Sequence, residues 1–348
     1  MHQVRQKSRH QMIKAAARLA AIALALSWLT QPSGADPAKL KFAYFSSDRT
    51  ATYLAAIKPF VDAVNSDAAG LLEIEVVAGG GLGKNPTEQL QLVLDGTADI
   101  AFVVPGYTPD RFVDDQVVQL PGLFGGVREA TTAYSRLVAA NALRGYDDLF
   151  VIGTYATEPE SIHSRVPIAS LDDLKGKRIR SNNPVQAKAL EGLGAIPVQI
   201  PINKVSEAIS TGEIDGAAVA PSPLIEFGIA RVAPHHYLLG VSSAPLAIVM
   251  NRKRFEGLSS EAQDVIRRYS GEWLTQRFIV FYEGQNREVI ATLSSDPKRK
   301  VILPSPTDRE RADAVFTRVI EEWRSVDRRN GELLATVEVE LGKLRSGQ

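Results

Sequence analysis

From about residue 40 onward, short apolar runs of strand length alternate with longer stretches whose apolar positions recur at helical spacing. Leu40–Phe45 (LKFAYF) predicts a strand and Tyr53–Asn65 the helix after it. Leu72–Ala78 (LEIEVVA) alternates, with Glu73 and Glu75 on one face and Ile74 and Val76 on the other, as a half-buried strand does. Gly79–Gly83 (GGGLG) breaks the pattern, Pro86–Leu94 resumes it as a helix, and Ile100–Val104 (IAFVV) reads as a buried strand. This βαβαβ order predicts an α/β layering with a mostly parallel sheet. The rhythm restarts with strands expected at Phe150–Tyr155, Arg178–Arg180, Val198–Ile200, Ala217–Val219 and Leu246–Met250, and helices at Val185–Leu193 and Asn203–Ser210. Ser260-x-x-Gln263 matches a capping box and opens a long helix carrying Val265, Ile266, Tyr269, Trp273 and Phe278. Two α/β lobes in one chain is the expectation.

The amino terminus reads differently. Leu19–Leu29 (LAAIALALSWL) has no charge and follows Arg5, Lys7, Arg9, Lys14 and Arg18, while Ser33-Gly34-Ala35 places small residues ahead of Asp36. A basic region, a short apolar core and a small-x-small exit describe a secretory signal peptide over residues 1–35. A spanning helix needs about 20 apolar residues, which this stretch lacks. The expected mature protein is therefore periplasmic and not embedded in the membrane. The whole chain has 40 basic and 40 acidic residues. Removing the five basic residues of the leader leaves 35 against 40, a net charge of about −5 for residues 36–348. An acidic body offers no global attraction to nucleic acid. There is no cysteine, which excludes a disulfide framework, a thiolate nucleophile, Cys-ligated zinc and a lipidated N-terminal Cys.

Catalytic signatures are missing as well. The body contains only His163, His235 and His236, without helical spacing between ligands, and the adjacent pair reads as surface or loop. No G-x-S-x-G, G-x-x-x-x-G-K-[ST] or H-E-x-x-H occurs. Asp114-Asp115 and Asp172-Asp173 read as solvated turns. The expectation is a protein that is not an enzyme and holds neither metal nor cofactor.

Three stretches carry a signature. They are Gly81-Leu82-Gly83 followed by Val93–Ile100 (VLDGTADI), Pro105–Phe112 (PGYTPDRF) leading to Leu120–Phe124 (LPGLF), and Leu171–Arg180 (LDDLKGKRIR). Gly212–Gly216 (GEIDG) and a turn at Pro221–Pro223 follow. In this order and spacing they resemble the extracytoplasmic solute-binding subunits of tripartite ATP-independent periplasmic (TRAP) transporters, of the C4-dicarboxylate-binding type. The resemblance runs from about Leu40 to about Glu288. It implies an α/β, two-lobe periplasmic-binding-protein-like fold with mixed sheets, a ligand cleft between the lobes and a long bracing helix. The implied division is 36–155 with about 241–275 in lobe one, and 156–240 with about 276–348 in lobe two. A monomer that captures a small organic acid by lobe closure and delivers it to the TRAP membrane permease subunits is the implied function. A binding or sensing protein for another importer or receptor, and a secreted enzyme on the same scaffold, are the alternatives.

The resemblance also assigns Arg180, at the end of D-L-K-G-x-x-I-R, as the clamp on the ligand carboxylate. Elementary chemistry agrees, since a guanidinium presents parallel N–H donors matched to a carboxylate. Asn182 and Asn183 follow it and offer amide contacts. Tyr44, Phe45 and Tyr107 stand at the carboxyl ends of predicted strands, where open α/β sheets bind ligands. His163 is a further candidate, whereas Glu158 and Glu160, which would repel a carboxylate, are expected in solvent. The stretch Ala217–Ser222 departs from the family in being small and apolar where an aromatic or polar residue is common. With one cation among aromatic and aliphatic walls, the ligand expected is a monocarboxylate with a sizeable apolar body.

Overall fold

The structure, a computed structural model, describes residues 36–347, so the expected leader lies outside the described residues. The chain runs through β1 (Ala38–Ala43), a π-helical stretch at Tyr53–Ile57 and α1 (Lys58–Asp67), then β2 (Leu72–Val77), α2 (Gln89–Leu94) and β3 (Ile100–Val103). Helix α3 (Val127–Ala139) leads into β4 (Leu149–Ala156). The second half of the pattern is β5 (Ser161–Ser164), β6 (Arg178–Ser181), α4 (Pro184–Gly192), β7 (Ile196–Gln199), α5 (Ile202–Thr211), β8 (Gly216–Val219), α6 (Pro221–Glu226) and β9 (His235–Tyr237). Then come β10 (Pro245–Asn251), α7 (Arg252–Glu256), α8 (Ser260–Arg268), α9 (Glu272–Ser295), β11 (Lys300–Ile302), α10 (Pro306–Ser325) and α11 (Arg328–Arg345).

The strands form two mixed sheets, ordered β2-β1-β3-β10-β4 and β11-β9-β5-β8-β6-β7. In the first, β1 and β3 are parallel, but β10 lies antiparallel between β3 and β4. A strand returning from the other lobe thus fills the middle of the sheet, which is why it is less parallel than the βαβαβ order predicts. In the second, β6 is parallel to β7 and β8, and β5 is antiparallel to β8 and β9. The central strands are apolar on both faces, as IAFV in β3 and GAAV in β8 require, and each is buried at all four positions.

Two strand segments cross between the lobes side by side. Thr157 N donates to Ala244 O (3.0 Å), Glu160 N to Ser242 O (2.8 Å) and Val241 N to Glu160 O (2.7 Å). Helix α9 is the third link. Leu274 and Thr275 hold its start against β4 and α3, and Asn286 meets Ser222 of α6 further along. The long helix expected from Ser260 is two helices. Ser259, not Ser260, caps α8 by accepting from Ala262 N, and Gly271 breaks the run at φ +60° with its N–H on Ile152 O. That left-handed backbone is open to glycine at little cost.

The carboxyl-terminal segment departs from the expected division. Strand β11 joins the second sheet, and Val315 and Phe316 of α10 enter that lobe's core. However, Val319, Trp323, Leu333, Leu334, Val337 and Leu341 pack with Tyr134, Leu149 and Val249 of lobe one. Residues 319–341 therefore pack mainly with the first lobe's core. Asp114 fixes the same helix: it is fully buried and accepts from Arg144 and from Arg329 of α11. It is no solvated turn. Its neighbour Asp115 is equally buried, against the hydroxyls of Tyr134 and Tyr146. Arginine contacts hold Asp114 down at about 2 despite burial, whereas burial pushes Asp115 up to about 7.

Candidate functional site

The carboxyl ends of the first-sheet strands, the start of lobe two and the crossing segments converge on one cavity holding about 590 Å³ of empty space, its mouth included. Lobe one contributes Tyr44 and Phe45 after β1, Phe102 from β3, Tyr107 beyond it and Tyr155 from β4. Their rings pack edge to face and in stacks: Tyr44 to Phe102 at 5.6 Å between centroids, and Tyr155 to Tyr282 of α9 at 5.0 Å. Lobe two contributes Arg180 and Asn182 from the end of β6, Ile202 from α5, and Glu226 and Phe227 from the end of α6. Glu160 enters from the crossing strand.

Arg180 is 2% exposed and held on three sides. Its Nε donates to Ile200 O (3.1 Å), Nη1 to Ala218 O (3.0 Å) and Nη2 to the Tyr107 hydroxyl (3.1 Å). A guanidinium has five N–H donors, so one remains on each terminal nitrogen. Tyr107 also accepts from Ile202 N (3.0 Å), which occupies its oxygen and leaves its own proton to give. Burial pushes the Tyr107 phenol up, so it stays neutral. Among the residues lining the cavity, Arg180 is the one Lys or Arg.

Two carboxylates share this wall. Glu160 is 4% exposed, and its Oε2 accepts from Asn182 Nδ2 (2.7 Å) and Gln186 Nε2 (2.6 Å). Burial pushes it up to about 7, against the pull of Arg180 and the two amides. Its position corrects the expectation of solvent exposure: the first crossing strand carries it inward. Glu226 accepts from Ala51 N (2.6 Å), at the start of the helical turn leading to α1, and burial raises it too.

Of the residues singled out from sequence, Arg180, Asn182, Tyr44, Phe45 and Tyr107 line the cavity. Asn183 does not; it is the N-cap of α4 and accepts from Gln186 N. His163 is also outside it, fully buried in β5 with Nε2 on Val219 O and Nδ1 2.8 Å from Nδ1 of His236. His236 is fully buried as well, contrary to a surface reading, because β9 pairs with β5 inside the sheet. Sequence reasoning missed Glu160, Glu226, Phe102, Tyr155 and Tyr282. Of these, Tyr155 and Phe102 were accessible to the strand-end argument, and Tyr282 lies one turn after Phe278 on the same helix face.

Known proteins place this architecture. The family model for bacterial extracellular solute-binding proteins, family 7, matches residues 42–325. The chain belongs to this family. Its fold is that of the TRAP solute-binding subunits. The crystal structure of a marine metagenome TRAP solute-binding protein specific for aromatic acid ligands, in complex with meta-hydroxyphenylacetate, superposes with a TM-score of 0.82 at 26% identity, covering 88% of this chain and 99% of that one. The 2,3-diketo-L-gulonate-binding periplasmic protein of Escherichia coli is 25% identical over 231 residues, 65% of this chain and 70% of its own. The C4-dicarboxylate-binding periplasmic protein of Rhodobacter capsulatus is 24% identical over 269 residues, 74% of this chain and 77% of its own. The family 7 subunit is thus surrounded by receptors for acids of three unlike shapes. Among its described residues, no helix is long and apolar enough to cross a membrane.

Proposed function

We propose that this TRAP solute-binding subunit is an exported, periplasmic receptor for a monocarboxylate with an aromatic or comparably bulky apolar body. Arg180 clamps the carboxylate, lobe closure buries the rest, and the loaded monomer docks on the TRAP permease subunits. The protein is a receptor and not an enzyme, in keeping with the binding roles of its relatives. The observation that carries the ligand class is the composition of the cavity wall: one arginine, a buried and a half-buried carboxylate, and a run of stacked rings. A second solute carboxylate finds no second cation there, and it meets Glu160 or Glu226 instead. Aromatic rings gain from edge and stacked contacts with Phe102, Tyr155 and Tyr282. The basic, apolar leader over residues 1–35 supports export.

A thermal-shift panel tests this. Aromatic monocarboxylates are expected to stabilise the protein by about 2.7 kcal/mol at a hundred times Kd. Stabilisation by succinate or malate alone overturns the reading. Arg180→Ala is expected to remove about 2–5 kcal/mol of binding free energy, roughly 25-fold or more in Kd, as loss of a buried charge partner does.

A further inference from the structure

The cavity has two chemically distinct ends. At one, Arg180 faces Tyr107 and Glu160, with Asn182 beside them. At the other, Glu226 lines the cavity together with Tyr44, Tyr155 and Tyr282. The tyrosine hydroxyls are already engaged: Tyr44 pairs with Thr50 at 2.6 Å, and Thr52 with Tyr282 at 2.6 Å. Glu226 is only half engaged. Its Oε1 takes the Ala51 N–H, while Oε2 meets no donor among the described residues. Phe45 and Phe227 line the cavity beside it. The Oε2 oxygen faces the cavity free to accept, and a solute group that donates to it takes the place of water there.

We infer that Glu226 is a specificity-determining residue that accepts a hydrogen bond from a donor carried by the solute away from its carboxylate. The solute class this selects is the hydroxyl- or amino-substituted aromatic acid. The inference rests on the aromatic-acid reading and narrows it. A benzoate without a substituent satisfies Arg180 and the rings but leaves Oε2 of Glu226 bare. A methoxy group brings only an acceptor and sets oxygen against oxygen. The polarity of the substituent decides, beyond its size.

Isothermal titration of the full chain with the unsubstituted, hydroxy, amino and methoxy members of the benzoate and phenylacetate series tests the assignment. The best hydroxy or amino acid is expected to bind about ten- to a hundredfold tighter than its unsubstituted and methoxy counterparts, the span of a hydrogen bond to a charged group. Glu226→Gln keeps an oxygen for Ala51 N and turns an amide N–H₂ toward the solute. It is expected to shrink the preference to about threefold or less. A loss shared equally by every acid makes Glu226 a strut between the lobes and overturns the assignment. Equal binding of donor, acceptor and unsubstituted acids by the unaltered protein overturns it too, with the aromatic-acid reading intact. If no aromatic acid binds while a dicarboxylate does, both fall together.

Discussion

Glu160 sits where the first crossing strand meets the second, with Arg180 on one side and the amides of Asn182 and Gln186 on the other. Ser242, whose hydroxyl also takes Gln186 Nε2, and neutral Tyr107 complete its surroundings. With its carboxyl raised to about 7 by burial, this group is largely protonated below neutrality in the empty site. With a solute carboxylate on Arg180 as proposed, the help that Arg180 gives to the ionised form is cancelled and a like charge is added, so the carboxyl is expected to rise further on binding. Binding then takes up a proton wherever the empty site has lost one. The sign follows: affinity for an aromatic monocarboxylate is flat below about pH 6 and falls as pH rises through 7, by at most about tenfold per pH unit. Titrations between pH 5.5 and 8.5 read this directly, and Glu160→Gln, which keeps an acceptor for both amides, is expected to flatten the profile. A wild-type slope unchanged in the variant assigns the proton elsewhere. At this scale the sequence was legible where a motif or a strand end carried the residue, as for Arg180, Tyr44 and Tyr107. Glu160 and Glu226 were invisible because the burial of an acid depends on which segments meet in space. His163 misled for the same reason, as its strand faces its ring into the sheet toward His236 and not toward the cleft.

Most early elements were legible because their periodicity is clean and glycines punctuate them: β2, β3, β8 and α5 lie within a residue or two of where alternation or helical spacing puts them. The carboxyl-terminal third was harder to read. A polar break at Tyr269–Gly271 splits one apparent helix into α8 and α9, and the capping match at Ser260 lay one residue from the true N-cap. Helices α10 and α11 have good local patterns, yet nothing local says that their apolar stripe belongs to the core of lobe one. The tie between Asp114 and α11 shows what makes that choice. Asp114 is fully buried, while Arg144 and Arg329 reach it from half-exposed positions. Asp114→Ala therefore leaves the arginines free to return to water and strands only the Arg144 N–H. The expected destabilisation is about 2–3 kcal/mol, below the cost of breaking a fully buried pair. Urea unfolding is expected to show a lowered midpoint at unchanged slope. An unchanged midpoint assigns the anchoring of α11 to its apolar face alone.

At the scale of the molecule, the contacts between lobes around the cavity include Tyr107 on Arg180 and Ile202, Glu226 on Ala51, and Gly106 against Asn182 and Asn183. The two crossing strands bond to one another along Thr157–Glu160 and Val241–Ala244, which makes them a ribbon suited to bending as a unit. On the proposed closure, ligand binding depends on how much it favours the arrangement with these contacts made over one in which they are parted. Gly106 offers a way to perturb that balance without touching solute. A Cβ there meets Asn182 O and Asn183 Cβ, both of lobe two, and the flexible end of Gln119 in lobe one, each at 3.3 Å. Two of these three contacts therefore exist only when the lobes meet, and the third is with the end of a flexible side chain. Gly106→Ala is expected to weaken binding of every acid by a common factor of several-fold, and Gly106→Val by more, while unfolding of the empty protein changes little. X-ray scattering supplies the complementary reading: added solute is expected to compact the unaltered protein, with Gly106→Val requiring more solute to reach the same compact form. Identical scattering with and without bound solute refutes closure, and a loss of stability in the empty variant moves the role of Gly106 from the meeting of the lobes to the packing of lobe one.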